Sequence, residues 1–236
     1  MSPVNPPPEI RELLLAATEQ HAQARVVLGS ALESGSASHA YLFHGPRGVG
    51  KADAARAFAA ALLTDGSADP SSAGARAMRG SHPDLTWVSP SGAHEMLIDD
   101  IAEPVVRSAT RTPIEGARRV FVLDRIETMS AEVANRMLKT LEEPAGYVHF
   151  ILLTAEPERV PPTVLSRCQD VRFDAIPVAV VAGRLRAEGV EPARAGSCAA
   201  LSGGDLVLAR ELAGEAGDAQ RSEAGRIVAC ALRGVS

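Results

Sequence analysis

The segment Gly45–Lys51, GPRGVGK, has the composition and spacing of a loop that holds phosphate. Glycines let successive backbone N–H groups wrap around an anion, and the final lysine reaches the outer phosphates of a nucleotide. A short apolar run, Ala40–His44, precedes this segment, and an alanine-rich helical segment, Lys51–Leu63, follows it. The N-terminus of that helix adds a favourable dipole for an anion. The sequence therefore predicts a phosphate loop whose binding residues are Gly45, Gly48, Gly50 and Lys51.

Two residues that magnesium chemistry requires are missing around this loop. An active site carries Ser or Thr after the lysine, because that hydroxyl is a ligand of the Mg²⁺ that bridges the phosphates. Here the residue is Ala52, whose methyl group binds no metal. Asp124 ends a predicted strand where a second ligand is expected, but Arg125 stands where a water-activating glutamate would follow, and Glu127 should face elsewhere if the strand continues. We predict no efficient hydrolysis, no required cofactor and no metal site, and weak ATP binding through the backbone and Lys51 stays open.

A second candidate is an arginine in the segment Val160–Cys168, VPPTVLSRC. Pro161 and Pro162 suit the first turn of a helix, so Thr163–Ser166 is predicted to form about one turn, with Arg167 near its end. A surface arginine is usually only a solvated charge. At the end of a short, fixed helix, however, the side chain is held in place and can be offered to a site on another molecule.

The elements that must position these residues follow from apolar runs and helical periodicity. Strands are predicted at Ala40–His44, Leu85–Val88, Arg119–Asp124 and Val148–Thr154, with a weaker one at Asp170–Phe173. Helices are predicted at Glu9–Leu32, Lys51–Leu63, Ile98–Ser108 and Ala131–Glu143, and a long loop at Thr64–Gly80. Nearly continuous apolar strands that alternate with helices indicate an α/β fold, a parallel sheet with helices on both faces.

The pattern changes near Ala175, after which no strand is predicted. Helical segments are expected at Val178–Glu188, Ala193–Leu201, Asp205–Leu212 and Ala219–Leu232. The prediction is an α/β domain over residues 1–175, of which residues 1–8 form a loose arm, followed by a small helical lid domain over residues 176–236.

Composition and charge exclude several functions. The 24 basic and 29 acidic residues give a net charge of −5, so the chain is not expected to hold DNA by bulk electrostatics. The 3 cysteines show no CxxC spacing, which argues against a disulfide framework and against zinc. There is no signal-peptide pattern and no apolar run long enough to span a bilayer. We therefore expect a cytoplasmic location and no membrane partner.

Several segments, in this order, resemble a known family. They are His39–Phe43 before the phosphate loop, Ser81–Asp84 before the second strand, Ala134–Pro144 with the letters ANRMLKTLEEP, and Thr163–Cys168. Together they are similar to the AAA+ clamp-loader family, the gamma/tau and delta-prime subunits of bacterial DNA polymerase III, and the similarity covers about Glu9–Leu212. Decayed nucleotide motifs beside a retained Ser-Arg-Cys resemble delta-prime, whereas an intact site belongs to gamma/tau.

The resemblance implies roles for residues that the spacing alone leaves open. Arg167 would act in trans on ATP bound by an adjacent gamma/tau subunit, with Ser166 and Cys168 at the same interface. It also implies assembly with delta, and contact with the sliding clamp and primed DNA through the assembled complex. Glu142 and Glu143 oppose the macrodipole at the end of their helix, so chemistry alone favours solvated side chains, whereas the resemblance makes them an acidic interface contact.

The chain departs from the family at three places. The loop Thr64–Gly80 lacks the cysteines of the family's zinc module, so no zinc is predicted. Leu206 falls near the position of a sensor arginine, and the chain ends at Ser236, before a C-terminal collar domain. Two alternatives stay open: an ATP-hydrolysing clamp-loader subunit of the gamma/tau type, and an unrelated P-loop scaffold that binds nucleotide.

Overall fold

The structure is a computed structural model that describes residues 4–91, 95–214 and 217. The chain divides into two compact units: the first comprises Met1–Gly45 and Gly50–Phe173, and the second comprises Pro46–Val49 and Asp174–Ser236. The middle of the predicted phosphate loop therefore groups with the C-terminal unit. The sequence places the change of pattern at Ala175.

A parallel sheet of 5 strands, in the order β2-β3-β4-β1-β5, forms the centre of the first unit. The strands are β1 at Ala40–His44, β2 at Leu85–Val88, β3 at Arg119–Leu123, β4 at Val148–Thr154 and β5 at Gln169–Arg172. Strands β3 and β4 are buried along their whole length, as expected for strands covered on both faces. The predicted parallel α/β sheet is confirmed, and β5 begins one residue earlier than the sequence indicated.

Helices cover both faces of this sheet. In the first unit they are α1 at Pro8–Ala17, α2 at Ala22–Glu33, α3 at Lys51–Leu63, α4 at Pro70–Met78, α5 at Ile98–Ile101, α6 at Ala131–Glu142 and α7 at Pro162–Leu165. Alternate residues of β1 point to opposite faces. The Tyr41 ring packs edge-on against Phe58 of α3 at 5.1 Å. Leu42 faces the other way, into a core that includes the stacked rings of Phe121 and Phe150.

The helix predicted over Glu9–Leu32 is wrong in one respect, because it is two helices. α1 ends at Ala17, and both the backbone N–H and the hydroxyl of Thr18 donate to the carbonyl of Leu14, the hydroxyl at 2.7 Å. A threonine that bonds back to its own helix competes with helix continuation. His21, the residue before α2, is buried against the ring of Phe173 at 4.8 Å. Burial of this histidine fixes the turn between the two helices.

The loop predicted over Thr64–Gly80 is also wrong, because it contains helix α4. Asp69 caps this helix by accepting a hydrogen bond from the Ser72 N–H at 3.0 Å, and Pro70 occupies its first position. Ala73 and Ala77, one turn apart, are fully buried. Alanine is a strong helix former but a weak hydrophobic signal, so the segment shows little apolar periodicity.

The helix predicted over Ile98–Ser108 is irregular. It starts as α5, widens into a π-helical turn over Ala102–Arg107 and tightens into a 3₁₀ turn over Ser108–Thr110. Pro104 lies inside the wide turn. Because proline has no N–H to donate and its ring clashes with the carbonyl of residue i−4, a regular α-helix cannot run through this position.

The second unit contains α8 at Val178–Ala187, α9 at Pro192–Leu201 and α10 at Leu206–Ala213. These helices match three predicted segments to within a residue at each end, and they pack on small buried side chains such as Ala195, Ala199 and Ala209. The fourth predicted segment, Ala219–Leu232, lies outside the described residues. Within the described ranges, no helix is long and apolar enough to pass through a membrane.

Candidate functional site

The predicted phosphate loop lies between the end of β1 at His44 and the start of α3 at Lys51. Gly45 and Gly48 have φ angles of 138° and 63°, which other residues rarely adopt. A Cβ atom at Gly45 would overlap the carbonyl oxygen of Phe173. Lys51 Nζ donates to the carbonyl oxygen of Gly45 at 2.6 Å, so the lysine lies back along its own loop. A strand, a glycine-rich turn and a helix thus follow one another along the chain in the predicted order.

A carboxylate occupies the space beside Gly48. A Cβ atom at Gly48 would overlap the carboxylate of Asp205, which belongs to the same unit. Asp205 also caps α10 by accepting a hydrogen bond from Leu208 N–H at 2.9 Å, and Leu206 N–H donates to the Gly48 carbonyl at 3.1 Å. An anion at this glycine opposes the charge of a phosphate. Sequence reasoning missed Asp205, although Asp before an apolar helical run is a capping signal.

Two positions of the predicted magnesium centre hold side chains that differ from the expected ligands. Ala52, in the first turn of α3, is exposed and presents only a methyl group. Asp124 follows β3, and its N–H donates to the Val88 carbonyl at 2.8 Å. Burial raises the pKa of Asp124, and the hydrogen bond from the Arg125 backbone and the positive charges of Arg125 and Lys51 act in the opposite direction. Within the described residues, no group of His, Cys, Asp and Glu is arranged to hold a metal ion.

Arg125 redirects the chain after β3. Its φ and ψ of 53° and 50° are left-handed, the single non-glycine case of positive φ in the described residues. The expectation that Glu127 faces elsewhere assumed a continuing strand, and that assumption is wrong. After this turn Glu127 is only 6% exposed and accepts a hydrogen bond from the Thr154 hydroxyl at 2.7 Å, at the end of β4. The charge of Glu127 also contributes to the raised pKa of Asp124.

Arg167 lies at the surface, directly after α7 and its C-terminal residue Ser166. Its side chain is 32% exposed and its guanidinium has fixed partners. Nη1 donates to the Thr163 carbonyl at 2.6 Å and to the Ser166 hydroxyl at 3.2 Å. Nη2 forms an ion pair with the Glu142 carboxylate. The arginine is therefore accessible and held by its own chain.

Helix α6 supplies the acidic partner. The Ser130 hydroxyl caps its start, and the helix buries Met137 and Leu141 against the core. Glu142 is its last residue and Glu143 follows; both are exposed. The structure thus brings Glu142, but not Glu143, to Arg167. Sequence reasoning did not pair these residues, which lie 25 positions apart in different elements.

Cys168 turns toward the core of its own chain. The thiol donates to the Val164 carbonyl at 3.3 Å and packs beside the hydrophobic core. Burial raises the pKa of the Cys168 thiol to about 12. A thiol in this state is neutral and unreactive. Its place at a subunit interface remains a prediction, whereas its packing role is visible.

The Ser81–Asp84 segment, which supported the family resemblance, has a structural role. Asp84 is fully buried, and its carboxylate accepts backbone hydrogen bonds from Ile114 at 2.8 Å and Glu115 at 2.9 Å. His82 accepts from the Asp84 N–H at 3.1 Å, and burial lowers the pKa of this histidine. The segment therefore anchors the turn that leads into β3.

A glycine-rich loop between β1 and α3, on a parallel sheet of order β2-β3-β4-β1-β5, defines a P-loop protein of the AAA+ type. The family model described as DNA polymerase III, delta subunit, matches residues 20–177. The chain belongs to this family, and the resemblance to clamp-loader subunits is confirmed.

The similar proteins are subunits of DNA polymerase III. The chain is 36% identical to DNA polymerase III subunit delta' of Pseudomonas aeruginosa over 79% of this chain and 59% of that protein. It is 32% identical to subunit delta' of Bacillus subtilis over 72% and 53%. Subunit tau of Bacillus subtilis is 35% identical over 67% of this chain and 28% of that protein. The chain thus spans a little over half the length of these delta' relatives.

Solved structures support the fold. A DNA polymerase III gamma subunit-related protein from Thermotoga maritima superposes with a TM-score of 0.52 at 21% identity, over 80% of this chain and 58% of that one. A RuvB variant from the same organism superposes with a TM-score of 0.56 at 18% identity, over 84% and 59%. At these identities the likeness concerns the fold alone.

Proposed function

We propose that this chain is a non-hydrolysing, delta-prime-type subunit of a bacterial clamp loader that acts in DNA replication. It assembles with gamma/tau and delta and supplies Arg167 in trans to ATP bound by a neighbouring gamma/tau subunit. The sliding clamp and primed DNA are contacted through the assembled complex. The observation that carries the proposal is an accessible, oriented guanidinium after α7, in a chain whose own hydrolytic positions hold Ala52 and Arg125.

The ion pair with Glu142 is weak compared with the effect of an arginine finger on ATP hydrolysis. An arginine finger is worth about 10³–10⁵ in rate, or roughly 4–7 kcal/mol of barrier. The pair between Arg167 and Glu142 joins side chains that are 32% and 46% exposed. Pairs of this kind contribute about 0–1 kcal/mol, because water screens them. The pair therefore does not prevent a γ-phosphate from engaging donors of Arg167.

The chain's own site lacks the groups that activate water. Ala52 offers no Mg²⁺ ligand, and Arg125 replaces the glutamate that would follow Asp124. Asp205 adds a negative charge beside Gly48 of the loop. We accordingly propose that no cofactor is required, that no zinc is bound, and that ATP binding is weak at most.

The alternative is a hydrolysing subunit of the gamma/tau type. One observation favours it: Glu127 is buried near Asp124 and bonded to Thr154, so a carboxylate other than the expected one lies beside Asp124. The two functions differ in steady-state ATP turnover by the isolated chain. Turnover that is abolished by Lys51→Ala would establish the alternative, and a rate equal to that of Lys51→Ala would exclude it.

The test of the proposal is reconstitution with gamma/tau and delta. Arg167→Ala is expected to lower DNA- and clamp-stimulated ATP hydrolysis at one site well beyond about tenfold, because the transition-state charge loses its cation. The matched control is Arg107→Ala, which breaks the exposed Arg107–Glu103 pair of 2.8 Å elsewhere in the first unit. Unchanged hydrolysis and clamp loading with Arg167→Ala, in a complex that still assembles, would refute the finger assignment.

A further inference from the structure

The ion pair between Glu142 and Arg167 joins the ends of two elements that pack together, α6 and α7. Arginine carries five N–H donors in a planar fork. In this chain one terminal nitrogen is bonded to the Thr163 carbonyl and the other to Glu142. Contacts from two different elements fix the plane of the guanidinium more firmly than contacts within the α7 turn alone.

We propose that Glu142 is the positioning residue of the arginine finger. It fixes the plane of the Arg167 guanidinium, so that donors not used within the chain can meet the anionic oxygens of a nucleotide on the neighbouring subunit. This inference rests on the proposed function and deepens it. A long side chain that is already ordered loses less freedom when it engages its target, so orientation before binding increases the rate.

Without Arg167 as its partner, Glu142 would be unfavourable at this position of the helix. A carboxylate at the C-terminus of a helix faces the negative end of the macrodipole. The positive charge of Arg167 offsets the charge of this carboxylate. Because both side chains are substantially exposed, the pair adds little to folding stability. Its main consequence is therefore the orientation of the guanidinium.

Glu132, on the same helix, provides a matched control. It is exposed, carries the same charge and lies in the first turn of α6, at the opposite end from Glu142. Glu142→Gln removes the charge but preserves the size of the side chain. In a complex reconstituted with gamma/tau and delta, it is expected to lower the kcat of ATP hydrolysis at the neighbouring site on the order of tenfold, less than the roughly 10²-fold cost of a 1 Å misplacement.

Three further results are expected. Glu132→Gln keeps the wild-type rate. The KM for ATP stays unchanged in Glu142→Gln, because Glu142 acts on orientation rather than on nucleotide binding. In an Arg167→Ala background, Glu142→Gln adds no further loss, since its effect passes through the arginine. A merely structural role for Glu142 would lower the thermal midpoint and would persist without Arg167.

The outcomes separate the two proposals. If Arg167→Ala has no effect on hydrolysis, the proposed function fails, and this inference fails with it. If Arg167→Ala slows hydrolysis but Glu142→Gln matches wild type or exceeds it, only the positioning role is overturned. A full additional loss from Glu142→Gln in the Arg167→Ala background would also overturn it.

Discussion

Acid should destabilise this protein in part through the buried histidine His149. His149 is 0% exposed. Its Nδ1 lies 2.9 Å from the Ser38 carbonyl, and its Nε2 lies 2.9 Å from Nη1 of Arg118. Because a carbonyl only accepts and a guanidinium only donates, the ring must be neutral, with its proton on Nδ1. Burial lowers the pKa of His149 to about 4, and the charges of Arg118 and His39 act in the same direction.

The magnitude follows from proton linkage. An unfolded histidine has a pKa of about 6.5 and therefore binds a proton between about pH 6.5 and pH 4, where folded His149 does not. Each unit by which the pH falls in this window lowers the free energy of unfolding by about 1.4 kcal/mol. From about pH 6.5 to pH 5 the loss from this group is about 2 kcal/mol, and across the whole window it is about 3 kcal/mol. Below the folded pKa the contribution stops changing, because both states are protonated.

The assay is urea unfolding of wild type and His149→Gln at a series of pH values between about 7 and 5. Glutamine stays neutral and retains an acceptor for Arg118. Other titrating groups, including His82 with its lowered pKa, contribute equally to both proteins and cancel in the difference. Wild type should lose about 2 kcal/mol more than the variant over this range. Equal slopes, or an NMR titration that gives His149 an ordinary pKa, would show that the reasoning is wrong.

Two smaller predictions concern the loop and the thiol. Gly48→Ala should destabilise the protein by about 1–2 kcal/mol or more, because its φ is 63° and its Cβ would overlap Asp205; a denaturation midpoint equal to wild type would contradict this. Cys168 should react with iodoacetamide at least about a hundredfold more slowly in the folded chain than in denaturant, because its pKa is about 12. Mass spectrometry of the Cys168 peptide measures both rates, and equal rates would contradict the burial argument.

The central strands could be predicted because they are compact apolar runs, as in Val148–Thr154, and β3 and β4 are buried along their whole length. The phosphate loop could also be predicted, because it is defined by the spacing of residues within one segment. Helix α4 was not, because its buried face consists of alanines such as Ala73 and Ala77. The break at Thr18 was missed for a different reason. The helix stops where the Thr18 hydroxyl bonds to the Leu14 carbonyl, and a single threonine in the sequence does not indicate such a bond.

Contacts between distant elements were beyond sequence reasoning. Glu142 meets Arg167 because α6 and α7 pack together. Glu127 contacts Thr154 because Arg125 adopts a left-handed conformation, which no local sequence pattern predicts. Both contacts depend on how side chains leave the ends of packed elements. Spacing in the sequence carries no information about such directions.

The retained Lys51 illustrates why one residue of a motif is weak evidence for its chemistry. Its positive charge acts on the half-buried Asp124 and offsets part of the rise in pKa that burial causes. A partly buried carboxylate gains from such a partner whether or not a nucleotide binds. Lys51 therefore has a reason to remain a lysine that is independent of ATP. Ala52 and Arg125 are more informative than Lys51, because neither a methyl group nor a guanidinium can coordinate Mg²⁺ or accept a proton from water.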